Sequence, residues 1–179
     1  MIRRLLCTII RHMAGYGTLH PDAPAELQRF AFLVGAWKCQ GRVLDEKPQW
    51  KPFTADWVGR YILDGMAIAD EFRAVWPDGK LFKHGQNIRM YNAQQKAWKM
   101  KWIDALDATV LKMGPPELGG VKATNATIQF HILHETGELL RARYTGICDE
   151  SFTWRGSILA DDGETWDEVM VIDANRVGK

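Results

Sequence analysis

The sequence predicts an all-β protein: a closed antiparallel barrel of about ten strands, preceded by short N-terminal helices. Three observations support this. Phe32-Leu33-Val34 runs an apolar segment into Gly35-Ala36-Trp37, a Gly-x-Trp at the start of the first strand. Strand-like segments then follow one another to the end of the chain, most of them separated by turn residues. No helical stretch interrupts them, which argues against an alternating βαβ order.

Residues 1–24 read as an amphipathic helix and a linker, and 25–179 as the barrel. Ile2, Leu5, Leu6, Ile9, Ile10 and Met13 fall at helical spacing, with Arg3, Arg4, Arg11 and His12 off that stripe. The apolar core Leu5–Ile10 is closed by Arg11-His12, too short for a signal peptide and far too short to span a bilayer. Such a helix can cover a barrel end, dimerise with a second copy or lie on a membrane surface. Gly15-Tyr16-Gly17 and Pro21-Asp22-Ala23-Pro24 read as linker. Ala25–Leu33 follows as a short helix, with Asp22 as its candidate cap.

The spacing predicts strands over Trp37–Leu44, Thr54–Leu63, Ala67–Trp76, Phe82–Tyr91, Trp98–Ala105 and Thr109–Met113. It predicts further strands over Lys122–His134, Leu139–Ile147, Phe152–Ala160 and Trp166–Asp173. Pro77-Asp78-Gly79, Glu135-Thr136-Gly137 and Asp161-Asp162-Gly163 supply tight turns. Gly114-Pro115-Pro116 and Gly119-Gly120 mark the one long break, either a loop over a barrel mouth or an ordinary connection.

With 179 residues and no internal repeat, one domain is expected. Lys and Arg number 23 against 22 for Asp and Glu, so no net field gathers nucleic acid. Eight Trp suit a barrel core or an aromatic pocket. Cys7, Cys39 and Cys148 are odd in number and without metal spacing, which points to a reduced, cytoplasmic setting; a Cys39–Cys148 bridge stays open.

The ordered set Leu33-Val34-Gly35-Ala36-Trp37, Tyr61–Gly65, Asp70–Arg73, Ile88–Asn92, Trp102–Asp104, Phe152–Gly156 and Asp162–Trp166 resembles a bacterial lipocalin-like family of unassigned function. That family is similar to the calycin superfamily, which includes lipocalins and fatty-acid-binding proteins. The resemblance implies a barrel with a central cavity and no agreed reaction. A neighbouring branch, the nitrobindin-like proteins, binds haem through a histidine near the C-terminus. No His follows His134 here, so no cofactor is expected.

Alternation assigns faces. Trp98, Met100, Trp102 and Asp104 oppose Lys99 and Lys101, so the first set is expected inside. Phe152, Trp154, Gly156 and Ile158 share another face, whereas neither face of Trp166–Asp173 is wholly apolar. Glu71 and Arg73 share a face, as do Arg89 and Tyr91. These either face the cavity, together with Tyr144, or form cross-strand pairs on the outer wall. His131 and His134, three apart in a strand, point to opposite faces, so no metal site is expected.

Three functional readings follow. The first is a binding module for a small apolar or aromatic ligand, with Arg73, Arg89, Tyr91, Met100, Trp102, Tyr144 and Trp154 as candidate contacts. The second is a cofactor-free isomerase, cyclase or hydro-lyase with Glu71 or Asp104 as acid/base. The third is a barrel filled by its own side chains, acting as a homodimeric interaction protein.

Overall fold

The structure, a computed structural model, describes residues 16–114, 119–134 and 136–178. The N-terminal amphipathic helix expected over Met1–Met13 lies outside them. Strands β1 (Gly35–Leu44), β2 (Trp50–Ile62), β3 (Ala67–Val75), β4 (Leu81–Asn92), β5 (Ala97–Asp104) and β6 (Val110–Met113) form a meander of antiparallel hairpins. After β7 (Lys122–Ala123), the strands β8 (Thr127–Leu133), β9 (Leu139–Thr145), β10 (Ser151–Leu159) and β11 (Trp166–Arg176) form a second meander. Pairing of β1 with β11 joins the two, and pairing of β6 with β8 closes a ten-strand antiparallel barrel.

Two departures from the expected strands have local causes. The segment expected as one strand over Lys122–His134 is two, β7 and β8, joined by a turn in which Thr124 N–H donates to Thr127 O at 2.8 Å. A register shift between Gly156 and Ser157 pairs Gly156 with Met170 but Ser157 with Glu168. That bulge re-aims the beginning of β11. Ile172 and Met170 pack with the core, whereas Glu168 binds Arg155 and Trp166 lies beneath the Arg141 guanidinium on the outer wall. The mixed faces of this strand are two alternation patterns in series.

A 3-10 helix, Ala25–Leu33, plugs one end, burying Leu27, Phe30 and Leu33 completely. Asp22 does not cap it: the preceding residue is Pro24, and no side chain caps the helix. Its final carbonyls are satisfied from the barrel instead. Trp37 Nε1 donates to Leu33 O at 3.1 Å, and Arg176 donates to Val34 O at 2.9 Å and to Phe32 O at 3.1 Å. The Arg176 guanidinium stacks 4.0 Å above the Trp37 ring. The Gly-x-Trp therefore works as a clamp between the plug and the first and last strands.

Inside the plug, Phe30 meets Trp98, Phe130 and Tyr144 edge-on at 4.9, 6.2 and 6.2 Å. Toward the other end, rings fill the interior by lying over glycines. A Cβ would stand 2.2 Å from the Phe53 ring at Gly41, 2.4 Å from Trp102 at Gly85 and 2.6 Å from Trp154 at Gly156.

Cys39 and Cys148 are both free, the first buried in β1 and the second exposed after β9, so they form no bridge. Burial pushes the Cys39 thiol up to about 12, with Asp56 adding to the rise. Brief alkylation of the native protein at pH 7.5, read by peptide mapping, is expected to modify Cys148 and spare Cys39. Arg176→Met strands two plug carbonyls and removes the stacked cation, so urea unfolding should show a loss of about 2–4 kcal/mol.

Candidate functional site

Two groups of side chains stand apart from ordinary core and surface: a charged cluster in the plugged half of the barrel and a cavity at the wall beside it.

The cluster is built from adjacent strands. Asp70 on β3 and Arg89 on β4 lie diagonally across their ladder, where Ile68 faces Arg89 and Asp70 faces Asn87. Both point inward, are almost wholly buried and form an ion pair through Arg89 Nη1 and Asp70 Oδ1. Trp57 Nε1 donates to Asp70 Oδ2 at 2.8 Å, and Arg89 Nη2 donates to the Tyr144 hydroxyl at 3.0 Å. The guanidinium also lies 5.2 Å from the Phe30 ring centroid. Burial pulls Arg89 below its ordinary pKa and pushes Tyr144 above its own, while contact between the two opposes both shifts. The adjacent carboxylate keeps the guanidinium charged. Chemically the cluster is a closed circuit. Its oxygens and most of its nitrogens are spent on one another, and only Arg89 Nε has neither a hydrogen-bond nor an ion-pair partner among the described residues.

Of the two placements left open for Glu71 and Arg73, the structure has the outer-wall one. Glu71 and Arg73 are exposed on the outer wall, and Glu71 lies 2.8 Å from His84 Nε2 in a cross-strand pair. The inward residues of β3 are Ile68, Asp70, Phe72 and Ala74, all buried. Asp104 does point inward, but its carboxylate binds Lys83 Nζ at 3.1 Å and caps the following turn through Leu106 N at 3.0 Å. Glu71 and Asp104 therefore stand on opposite faces of the sheet. Met100, Trp102 and Trp154 belong to or pack against the core, as their alternation predicts, and Tyr144 belongs to it too. Among the described residues, no three His, Cys, Asp or Glu side chains are grouped closely enough to hold a metal.

The cavity arises where the barrel closes. β6 pairs with β5 only over Lys101–Ile103, and with β8 only through Lys112 and Met113. At Gly114, whose N–H donates to His131 O at 2.7 Å, the chain leaves β5. β7 then covers a different part of β8, pairing Lys122 with Gln129 and Ala123 with Ile128. Ala97–Met100 are left with no strand on that side among the described residues. A cavity of about 940 Å³ opens along this free edge. Its lining takes Trp98, Met100 and Met113 from the inner face and Lys99, Lys101 and Ile103 from the outer face of the same sheet. A space bounded by both faces of one strand must pass around that strand's edge, so the cavity crosses the wall.

Tyr91 lines the cavity and meets Trp98 edge-on at 5.4 Å. Desolvation and the nearby Glu26 carboxylate raise its phenol pKa, and Arg29 opposes the rise. Arg29, from the plug helix, lines this cavity and also a second one of about 240 Å³ beside Phe32 and Ile128. Of the residues expected to contact a ligand, Tyr91 and Met100 reach the cavity, whereas Arg89, Tyr144, Trp102 and Trp154 do not line it. Sequence reasoning missed Arg29, Met113 and the lysines. It also missed Asp70, although the apolar parity of Ile68, Phe72 and Ala74 marks its face as the inner one.

No family's sequence profile matches the chain, and no curated protein matches it in sequence. Solved structures do share its fold. Rv2717c from M. tuberculosis superposes with a TM-score of 0.62 at 12% identity, over 88% of this chain and 100% of its own. The S-type phycobiliprotein lyase CPES from Guillardia theta gives 0.55 at 13% identity, over 85% and 92%. The chain has a lipocalin-like barrel fold.

Asp70→Asn is expected to lower stability by about 3–5 kcal/mol, because it leaves a buried guanidinium without its counter-charge. Arg89→Met restored on top of it should recover part of that loss. A double-mutant cycle in urea that shows simple additivity would mean the two charges do not interact.

Proposed function

We propose that this barrel binds a small apolar or aromatic molecule, and that the molecule sits in the wall cavity at the β5 edge. The observation that carries this reading is the joint lining of a single space of about 940 Å³ by core residues Trp98 and Met100 and by solvent-exposed residues of the same strand. Such a space offers an apolar seat and a route to it from outside. The volume falls within the range of small-molecule pockets, about 300–1,000 Å³. Trp98, Met100 and Met113 supply the apolar seat, and Tyr91 with Arg29 supplies polar groups that orient the guest. Arg89 and Tyr144 act behind it: their circuit holds Phe30, and through it Trp98, in place.

Membership of the calycin superfamily belongs to the same proposal, as do a cytoplasmic setting and a homodimer. Two solved barrels share this fold, and the reading is compatible with that architecture. The name of one of them, a phycobiliprotein lyase, keeps a lyase-type reaction as the alternative. That alternative has less support in this chain, because Glu71 lies outside and Asp104 is engaged by Lys83 and a turn amide.

The neutral fluorophore N-phenyl-1-naphthylamine tests the reading. Its emission should rise and shift to the blue with the native protein. Val121→Trp, which fills the rim of the cavity, should weaken binding at least about tenfold while the far-ultraviolet circular dichroism stays unchanged. Undiminished binding by a folded Val121→Trp variant would place the probe elsewhere.

A further inference from the structure

The charges around the cavity are one-sided. Arg29, Lys96, Lys99, Lys101 and Lys112 line it, and no described lining residue is acidic. Yet the chain as a whole is almost neutral, at a formal +1. All five side chains belong to exposed residues, and none has a carboxylate within ion-pair distance among the described residues. One carboxylate stands near, Glu26, and its charge acts on the Tyr91 phenol.

The lysines are also placed against the interest of the fold. Lys101 and Lys112 are direct partners across the β5–β6 ladder. Like charges opposite one another destabilise an antiparallel pair. Lys99 adds a third positive charge two residues away on the same face. Elsewhere on the outer wall, Lys38 meets a carboxylate directly across its ladder, Asp56. A strand pair whose repulsion no carboxylate among the described residues offsets, beside an apolar recess, has the composition of a site for a guest with a negative charge.

We infer that the wall cavity takes an apolar or aromatic anion, whose body lies on Trp98, Met100 and Met113 and whose carboxylate, sulfonate or phosphate lies among the amines of Lys99, Lys101 and Lys112. This rests on the proposal that the cavity is the ligand site, and it adds the chemical class of the ligand. The geometry favours a free small molecule over an anionic membrane. The apolar residues of the seat belong to the inner face of the wall, where a flat bilayer surface does not reach them, whereas a slender molecule does.

The test compares two fluorophores that differ by one charged group: 8-anilinonaphthalene-1-sulfonate and its neutral parent, N-phenyl-1-naphthylamine. The sulfonate should bind at least about tenfold more tightly, and its affinity should fall as salt rises. Replacing Lys99, Lys101 and Lys112 together by Gln should weaken the sulfonate about tenfold and leave the neutral probe unchanged. Lys112→Glu separates function from folding. By pairing with Lys101 it should raise the melting temperature while weakening the sulfonate still further.

Equal, salt-independent binding of both probes would overturn the anion assignment and leave the cavity reading standing. Binding of neither would overturn both. If the lysine variants keep the sulfonate but lose sedimentation with phosphatidylglycerol vesicles, the patch is a membrane-docking face and the inference fails.

Discussion

Everything in the plugged half of the barrel is arranged around two opposite charges that have lost their water. Asp70 and Arg89 sit among Trp57, Phe30 and Tyr144, where an isolated charge costs several kcal/mol. Each must face the other, and the remaining hydrogen bonds must come from the few polar atoms that aromatic side chains offer. This requirement fixes the Trp57 indole and the Tyr144 phenol in orientation as well as position. It also fixes the plug: Phe30 lies against the guanidinium, so the helix can seat in only one way if that cation is to be covered. A wholly apolar core of similar volume would give comparable stability with less definition of where the rings lie.

The sequence revealed the architecture well because the strand period survives almost everywhere. Lys99 and Lys101 against Trp98, Met100 and Trp102 mark an inside and an outside without ambiguity, and both sets lie where that alternation puts them. Glu71 and Arg73 drew attention because charge suggests chemistry. Their neighbours Phe72 and Ala74 held the better signal, since in a strand the apolar parity decides the face and takes Asp70 inside with it. The mixed faces of β11 were not legible, because a bulge joins two patterns that each read cleanly only on its own side of Val169. The wall cavity was hidden for a different reason. It exists because β6 is short and the chain leaves at Gly114, a fact about pairing between distant segments that no local period reports.

Closure of the barrel thus imposes a compromise. A strand long enough to cover all of β5 would complete the wall and bury its edge. Among the described residues the short β6 instead leaves Ala97–Met100 without a partner on one side, so core and exposed residues share a boundary there. Well-packed rings fill the interior itself, from Phe30 at the plug to Trp102 and Trp154 above their glycines. The cavity of about 940 Å³ thus lies where the sheet fails to meet itself.

The clamp on the plug also has a bearing on how the molecule is made. Arg176 reaches carbonyls 142 and 144 positions earlier in the chain, at Val34 and Phe32, and β11 must pair with β1 to bring it there. Nearly every other ladder joins strands close in sequence and can form as a hairpin while synthesis proceeds at about 5–20 residues per second. The nascent chain therefore carries a helix with uncapped carbonyls and a Trp37 ring without its cation until the last strand leaves the ribosome. For that interval the plug's apolar side chains lack the contacts that hold them in the finished barrel.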